Sequence, residues 1–197
     1  LRLFLGQIIA PNALQPMWST EGIAIYFESK YSSGGRLYDT RYDMYLRSDF
    51  LESKPKDLEL LQSFYLTSWP AGNTPYIYGQ SLVHYFADKF GEDKLINISE
   101  YFCAYPFLGM NWAIKKALGI NQDRLYQDWQ EDQLKHYQRQ FEEIKQFSSL
   151  TKSDQITDHR YWTDNPVWLT NTENNSASLL YRVNNVELYP AIHQYFP

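Results

Sequence analysis

The chain has 197 residues, a formal net charge of −5 and an aromatic content of 17%. This length is sufficient for one domain with a sizeable core, or for one and a half domains. The net negative charge does not indicate the basic surface that is typical of nucleic-acid-binding proteins. The single cysteine, Cys103, excludes an internal disulfide and a cysteine-based zinc site. The sequence contains no run of about 18 apolar residues, so it predicts no membrane-spanning helix.

Residues 1–147 carry patterns typical of helices. In the stretch MWSTEGIAIYFESKY at 17–31, Ser19 or Thr20 is the predicted N-cap, and Glu21 falls in the predicted first turn. A loop at 69–75 is indicated by its two prolines and its glycine. The further predicted helices are 39–52, 56–66, 76–91, 92–102, 111–119 and 121–147.

Side-chain spacing predicts which faces of these helices are buried. The apolar stripe of 76–91 consists of Tyr78, Leu82, Tyr85, Phe86 and Phe90. The apolar face of 121–147 consists of Leu125, Trp129, Leu134, Tyr137 and Phe141. In 39–52, acidic and basic residues alternate, namely Asp39, Arg41, Asp43, Arg47 and Asp49. That alternation predicts a solvated, salt-bridged helix and not a calcium loop.

The last part of the chain has a different character. Short β-rich runs occupy 166–170, 177–183 and 191–196, and the turn-rich hexapeptide NTENNS separates the first two. A few strands do not form a stable sheet on their own. These strands are therefore expected either to pack on the helices or to begin a β domain. The sequence predicts a mainly α part, 1–147, followed by a short β-rich part, 148–197.

Glu21 has two interpretations. Taken alone, it is a helix-start charge that stabilises the helix dipole by less than about 1 kcal/mol. Its surroundings, WSTEGIAIYFE, resemble the W-x-x-E-G-x-A-x-Y-x-E signature of gluzincin zinc metallopeptidases. This resemblance implies that Glu21 is the third zinc ligand, on a helix downstream of an H-E-x-x-H helix that provides two histidine ligands and the general base.

A second motif extends the resemblance. YIYG at 76–79 is similar to the Y-x-x-G element of the aminopeptidase branch, which implies that Tyr76 donates a hydrogen bond to the oxyanion of the tetrahedral intermediate. Glu28 shares a helix face with Glu21 and is either a partner of the site, a contact for the substrate amine, or an exposed acid beside Lys30. Arg36 is expected to pair with a carboxylate, either of the substrate or of the protein.

The order of these motifs, with GGR at 34–36, resembles bacterial peptidase-MA-like proteins in which such a domain precedes a TolB-like β-propeller. Residues 161–183 are similar to a first propeller repeat, although they lack its usual S-P-D-G turn. The resemblance implies a mainly α fold that is the C-terminal helical part of a gluzincin-type domain, followed by the first strands of a propeller. It further implies a peptide or protein substrate and a periplasmic or extracellular location.

The motif set is incomplete. The histidines are His84, His136, His159 and His193, no pair of them has i, i+4 spacing, and no H-E-x-x-H is present. The resemblance places that motif upstream of Leu1, so zinc is expected in the intact domain and not in this chain alone. A mixed site using His84 is a further possibility, against a histidine that packs or faces solvent. The alternative function is a non-catalytic helical protein-binding module derived from a peptidase fold.

Overall fold

The computed structural model describes residues 14–62, 69–147, 154–159, 162–171, 176–184 and 189–197. The chain divides into two compact units, Leu1–Ser149 and Leu150–Pro197. The described part of the first unit is helical, and that of the second is a small antiparallel sheet. The chain is therefore mainly helical, as the sequence predicts. Among the described helices, none is long and apolar enough to cross a membrane.

The first unit contains six α-helices in its described part. They are α1 Met17–Tyr31, α2 Thr40–Glu52, α3 Thr74–Phe90, α4 Glu92–Ala104, α5 Gly109–Leu118 and α6 Gln122–Phe147. Short 3₁₀ turns lie at Arg36–Tyr38, Leu58–Gln62, Ala71–Asn73 and Pro106–Leu108. The predicted α-helix at 56–66 is wrong over 58–62, where the chain forms a 3₁₀ turn, and its end lies outside the described residues.

Helix α1 begins earlier than predicted. Pro16 occupies the N-cap position, and its carbonyl accepts the amides of Ser19 and Thr20 at 3.0 and 3.1 Å. The predicted cap at Ser19 or Thr20 is wrong, because the helical hydrogen bonds already begin at the Pro16 carbonyl. Glu21 consequently lies beyond the first turn, where the helix dipole has little effect. The dipole interpretation of Glu21 therefore loses its physical basis.

Helices α1 and α3 are in direct backbone contact. A Cβ atom added at Gly22 of α1 would lie 2.3 Å from the carbonyl oxygen of Gly79 in α3. A Cβ added at Gly79 would lie 2.3 Å from the carbonyl oxygen of Trp18. Trp18 is itself 2% exposed and packs edge-on against Phe86, with ring centroids 6.1 Å apart. The glycines of both motifs therefore allow two helix backbones to touch.

The predicted stripe of α3 is in the core, with Tyr78, Leu82, Tyr85 and Phe86 buried and Phe90 partly buried. The predicted face of α6 is only partly correct. Leu125, Trp129 and Tyr137 are buried, whereas Leu134 and Phe141 are 37% and 36% exposed. Leu134 lies five residues after Trp129, a spacing that turns it away from the buried face of a 3.6-residue helix. The Lys145 ammonium lies 4.3 Å from the centroid of the Phe141 ring.

A buried polar network contradicts the expectation that Asp49 is solvated. Asp49 is 4% exposed and accepts a hydrogen bond of 2.7 Å from the Tyr78 hydroxyl. The Lys56 ammonium lies 3.4 Å from the same carboxylate, and the Lys56 amide donates to the Tyr78 oxygen at 3.1 Å. These partners offset the desolvation of a buried charge. By contrast, Asp43 forms the expected surface pair with Arg47 at 3.0 Å.

The second unit contains strands β1 Trp162–Asn171, β2 Ser176–Asn184 and β3 Ala191–Tyr195, in the order β1-β2-β3 with antiparallel pairing. The three predicted β-rich runs lie within or overlap these strands. The β1–β2 register shifts between Asp164 and Val167, because Asn165 has a φ of 52° and Pro166 has no amide to donate. Leu179, Tyr181 and Val183 alternate along the buried face of β2.

The α1–α3 contact predicts the sign of a stability change. Alanine normally stabilises a helix interior relative to glycine. We expect Gly79→Ala to do the reverse and lower the free energy of unfolding by about 1–3 kcal/mol, because its Cβ overlaps the Trp18 carbonyl. Urea denaturation followed by circular dichroism measures the change.

Gly34→Ala is the matched control, because no heavy atom lies within 4 Å of a Cβ built at Gly34. We expect this variant to stay within about 0.5 kcal/mol of the wild type. A Gly79→Ala protein as stable as Gly34→Ala would show that the two helices are not held at this separation.

Candidate functional site

The contact between α1 and α3 also positions the two principal candidate residues. Glu21 immediately precedes Gly22, and Tyr76 lies one helical turn before Gly79. Because Gly22 and Gly79 touch, Glu21 and Tyr76 are brought to adjacent positions on the two helices. Glu21 is intermediate in exposure, so its carboxylate is partly shielded from water. Residues far apart in the sequence thus form one site.

The pKa of Tyr76 reflects its proximity to Glu21. Burial raises the pKa of the Tyr76 phenol, and the negative charge of Glu21 and a hydrogen bond to Glu21 raise it further. The positive charge of Arg36 acts in the opposite direction. Because the net shift is upward, the phenol stays protonated to a higher pH than free tyrosine, which ionises at about pH 10. Tyr76 is thus kept as a hydrogen-bond donor.

Arg36 connects the loop after α1 with this pair. Its Nε and Nη2 atoms donate to the same oxygen of Glu28, at 2.9 and 2.7 Å. The centre of its guanidinium lies 5.7 Å from the Tyr76 ring centroid, within cation–π range. The structure therefore gives Arg36 a protein carboxylate as its partner. Glu28 belongs to this pair, whereas the neighbouring Lys30 pairs with Glu92.

A tight loop holds Arg36 in place. A Cβ atom added at Gly35 would lie 2.2 Å from Ser29, so the loop backbone lies directly against α1. The Ser29 hydroxyl accepts the Leu37 amide at 3.0 Å on the other side of Arg36. Ser29 is 2% exposed, which keeps water from competing with this bond. The GGR stretch is therefore a positioning element for the arginine.

Sequence reasoning missed Tyr42. This residue of α2 hydrogen-bonds Arg36, adding to the larger effect of Glu28 that raises the pKa of the guanidinium. Its phenol also acts electrostatically on Tyr76. Tyr42 lies outside both motifs. It lies in the first turn of α2, after the Asp39 N-cap, and so follows closely on the segment that carries Arg36. Its contribution depends on the three-dimensional arrangement and has no motif to mark it.

The described residues do not supply a complete zinc site. Catalytic zinc takes three protein ligands, and no group of three histidine, cysteine, aspartate or glutamate side chains suited to a metal occurs in the described ranges. Glu28 is engaged by Arg36, and His84 lies near Asp88 and Tyr26. The mixed site using His84 therefore has no geometric support. Glu21 by itself fits one carboxylate ligand and no more.

Comparison of the chain with protein-family models, with curated proteins and with solved structures finds no match. The resemblance to gluzincins therefore stays a prediction from the two sequence motifs.

The charges of Glu21 and Arg36 should shift the pKa of the Tyr76 phenol in opposite directions. We expect Glu21→Gln to lower the pKa of Tyr76, because it removes a negative charge that disfavours the phenolate. We expect Arg36→Gln to raise it, because it removes a positive charge that favours the phenolate. Carbon-13 NMR titration of labelled tyrosine, assigned with Tyr76→Phe, measures both shifts.

Glu100→Gln serves as the control, since Glu100 is not among the charges that act on Tyr76. It should leave the titration unchanged. Shifts of the same sign in the Glu21 and Arg36 variants would contradict the opposite effects of these two charges on the pKa of Tyr76.

Proposed function

We propose that residues 1–147 are the C-terminal helical part of a zinc-dependent peptidase domain of the gluzincin type. In this proposal Glu21 is one zinc ligand, and Tyr76 is the donor to the oxyanion formed when water attacks a peptide carbonyl. One observation carries the proposal: the two motifs meet at the Gly22–Gly79 contact, which sets Glu21 and Tyr76 side by side. Packing alone does not require a glutamate and a tyrosine at these positions.

The proposed roles follow from ordinary chemistry. A zinc ion held in part by Glu21 would lower the pKa of water toward about 7 and would polarise the substrate carbonyl. The Tyr76 hydroxyl, held protonated, donates a hydrogen bond to the negative charge that develops on the carbonyl oxygen. Arg36, fixed by Glu28, lies against the Tyr76 ring and restricts its orientation. Two further ligands and a general base are required beyond the described residues.

The remaining implications of the resemblance are part of the same proposal. We infer a peptide or protein substrate and a periplasmic or extracellular location, and we assign residues 148–197 to the start of a β-propeller. The three-stranded antiparallel order β1-β2-β3 supports that assignment, because a propeller blade is an antiparallel sheet of four strands. One further strand would complete the blade.

A non-catalytic protein-binding module is the second candidate. It is favoured by an apolar surface at the turn between α4 and α5, where Tyr105, Phe107 and Leu108 are 57%, 75% and 54% exposed. Clustered apolar side chains of this kind occur at protein-binding surfaces. The two candidates differ in their requirement for Glu21, which a binding module does not need.

Zinc binding tests the role of Glu21. In the full-length protein as encoded, we expect Glu21→Gln to weaken zinc binding by more than about 100-fold. Replacing a residue that only hydrogen-bonds a metal ligand already lowers metal affinity by about 10–100-fold, and a ligand should matter more. Competition with a chromophoric chelator measures the affinity. Glu28→Gln is the control on the same helix, because its carboxylate pairs with Arg36, and it should bind zinc as the wild type does. Equal affinities of the wild type and Glu21→Gln would refute the ligand role.

Tyr76→Phe tests the donor separately from the metal. It removes one hydroxyl, and we expect kcat for peptide hydrolysis to fall by about 10²–10³, with zinc affinity unchanged. Steady-state kinetics on the zinc-loaded protein provides the measurement. Tyr42→Phe, which removes a hydroxyl that bonds Arg36, should have a smaller effect on kcat. A Tyr76→Phe enzyme with wild-type kcat would eliminate the oxyanion role.

A further inference from the structure

The second unit, which contains none of the residues of the proposed peptidase site, holds a cluster of two histidines and a tyrosine. Tyr181 of β2 and His193 of β3 are directly paired in the antiparallel register, so their side chains lie on the same face of the sheet. His159, in the segment before β1, contacts both rings. Three separate parts of the unit therefore meet in this histidine cluster, His159, Tyr181 and His193.

The donor atoms of the histidine cluster are close enough to share one ion. His159 Nε2 lies 3.1 Å from the Tyr181 hydroxyl oxygen, and the two imidazole centroids are 4.7 Å apart with their planes inclined by 56°. Donor atoms bound at about 2.0–2.1 Å to one metal, at angles of about 90–110°, lie about 2.9–3.4 Å from each other. The same geometry places the centroids of two bound imidazoles about 4.5–5.2 Å apart. Both separations in the cluster fall within these ranges.

The donors are also accessible and of a suitable kind. Imidazole nitrogen is a good ligand for copper, nickel and zinc, and sites that combine nitrogen and oxygen ligands are typical of Cu²⁺ and Ni²⁺. His159 is exposed and His193 partly exposed, so an ion can reach both from solvent. In the described part of the chain the His193 ring has only aromatic contacts, with His159 and Tyr181. Tyr181 is 8% exposed and so provides a fixed position for its oxygen.

A metal cross-link would also stabilise a unit that has a small core. Among the described residues, its buried apolar cluster consists of side chains of β2 alone, with Tyr195 of β3 packed against them. Small domains with limited cores are commonly stabilised by disulfides or by bound metals. Cys103 is the single cysteine of the chain and lies in the first unit, so no disulfide can form within the second. A metal at the histidine cluster would tie the segment before β1 to both β2 and β3.

We propose that the histidine cluster binds a divalent transition-metal ion, with Cu²⁺ bound most tightly, through the imidazoles of His159 and His193 and the oxygen of Tyr181. The ion takes the place of the hydrogen bond between His159 Nε2 and the Tyr181 hydroxyl. Nε2 binds the ion with its lone pair, and the hydroxyl proton is released to solvent, because metal ligands bind in their deprotonated form. Bound in this way, the ion holds residues 154–159 against the sheet.

Metal selectivity tests the proposal first. Isothermal titration calorimetry of the 197-residue chain, without an affinity tag, would compare Cu²⁺, Ni²⁺ and Ca²⁺. We expect one tight Cu²⁺ ion per chain, weaker binding of Ni²⁺ and no binding of Ca²⁺ at the same concentrations, because Ca²⁺ requires oxygen ligands. Binding of Ca²⁺ as tight as that of Cu²⁺, or no binding of Cu²⁺, would overturn the proposal.

Substitutions of the two histidines locate the ion. His159→Gln and His193→Gln each remove one imidazole, and we expect each to weaken Cu²⁺ binding by at least about tenfold, the lower limit for residues that only support a metal ligand. His84→Gln and His136→Gln are the matched controls, because both histidines lie in the first unit. These controls should bind Cu²⁺ as the wild type does. Wild-type affinity in His159→Gln or in His193→Gln would refute the site.

Tyr181→Phe tests the third ligand through a measurement other than affinity. Calorimetry in buffers of different ionisation enthalpy gives the number of protons released when Cu²⁺ binds. We expect the folded Tyr181→Phe protein to release about one proton fewer than the wild type, because it has no hydroxyl proton to lose. Circular dichroism and the melting temperature establish that the variant is folded. Equal proton release by the two proteins would contradict the proposed ligand set.

Two further measurements separate this site from the zinc site of the proposed function and test the cross-link. Glu21→Gln should bind Cu²⁺ as the wild type does, and loss of Cu²⁺ binding in this variant would assign the ion to the first unit and overturn the proposal. Hydrogen exchange read by mass spectrometry should slow in residues 154–159 when Cu²⁺ is added to the wild type, because a bound ion opposes local opening. The same change in His159→Gln would contradict the cross-link.

Discussion

The structure of the helical unit depends on the direct backbone contact between α1 and α3. At Gly22 and Gly79 neither helix can carry a side chain, because a Cβ atom would overlap a carbonyl of the opposite helix. The contact buries Trp18 and makes α3 the centre of the core, with Tyr78, Leu82 and Phe86 packed around it. Close packing of this kind leaves little room for adjustment, so the two helices cannot move closer together or take a larger side chain at either glycine.

That constraint has a chemical consequence. Each motif places a polar residue within a turn of its glycine, so fixing the glycines also fixes Glu21 beside Tyr76. The phenol interacts with a carboxylate that raises its pKa and with a guanidinium that lowers it. Arg36 is in turn held by Glu28 and by the Gly35 loop against Ser29. A protonated donor in a fixed position is what stabilisation of a developing negative charge requires.

The limits of sequence-based prediction follow from the same physics. Helical patterns located α2 to α6, and β-rich runs separated by a turn-rich segment located the strands, since both are local properties of the sequence. The motifs by themselves mark Glu21, Glu28, Arg36 and Tyr76 as candidate site residues. Tyr42 and the burial of Asp49 were missed because both depend on which distant residues become neighbours. The start of α1 was misplaced because a proline carbonyl, and not a serine or threonine side chain, accepts the first amides.

The most direct test of the central claim is the position of zinc in crystals of the full-length protein, located by anomalous diffraction at the zinc edge. The proposed function predicts one strong peak on the Glu21 carboxylate, with the Tyr76 hydroxyl facing the same space and Glu28 still paired with Arg36. Zinc-treated crystals without a peak at Glu21 would contradict the claim that the contact of α1 with α3 assembles a metallopeptidase site.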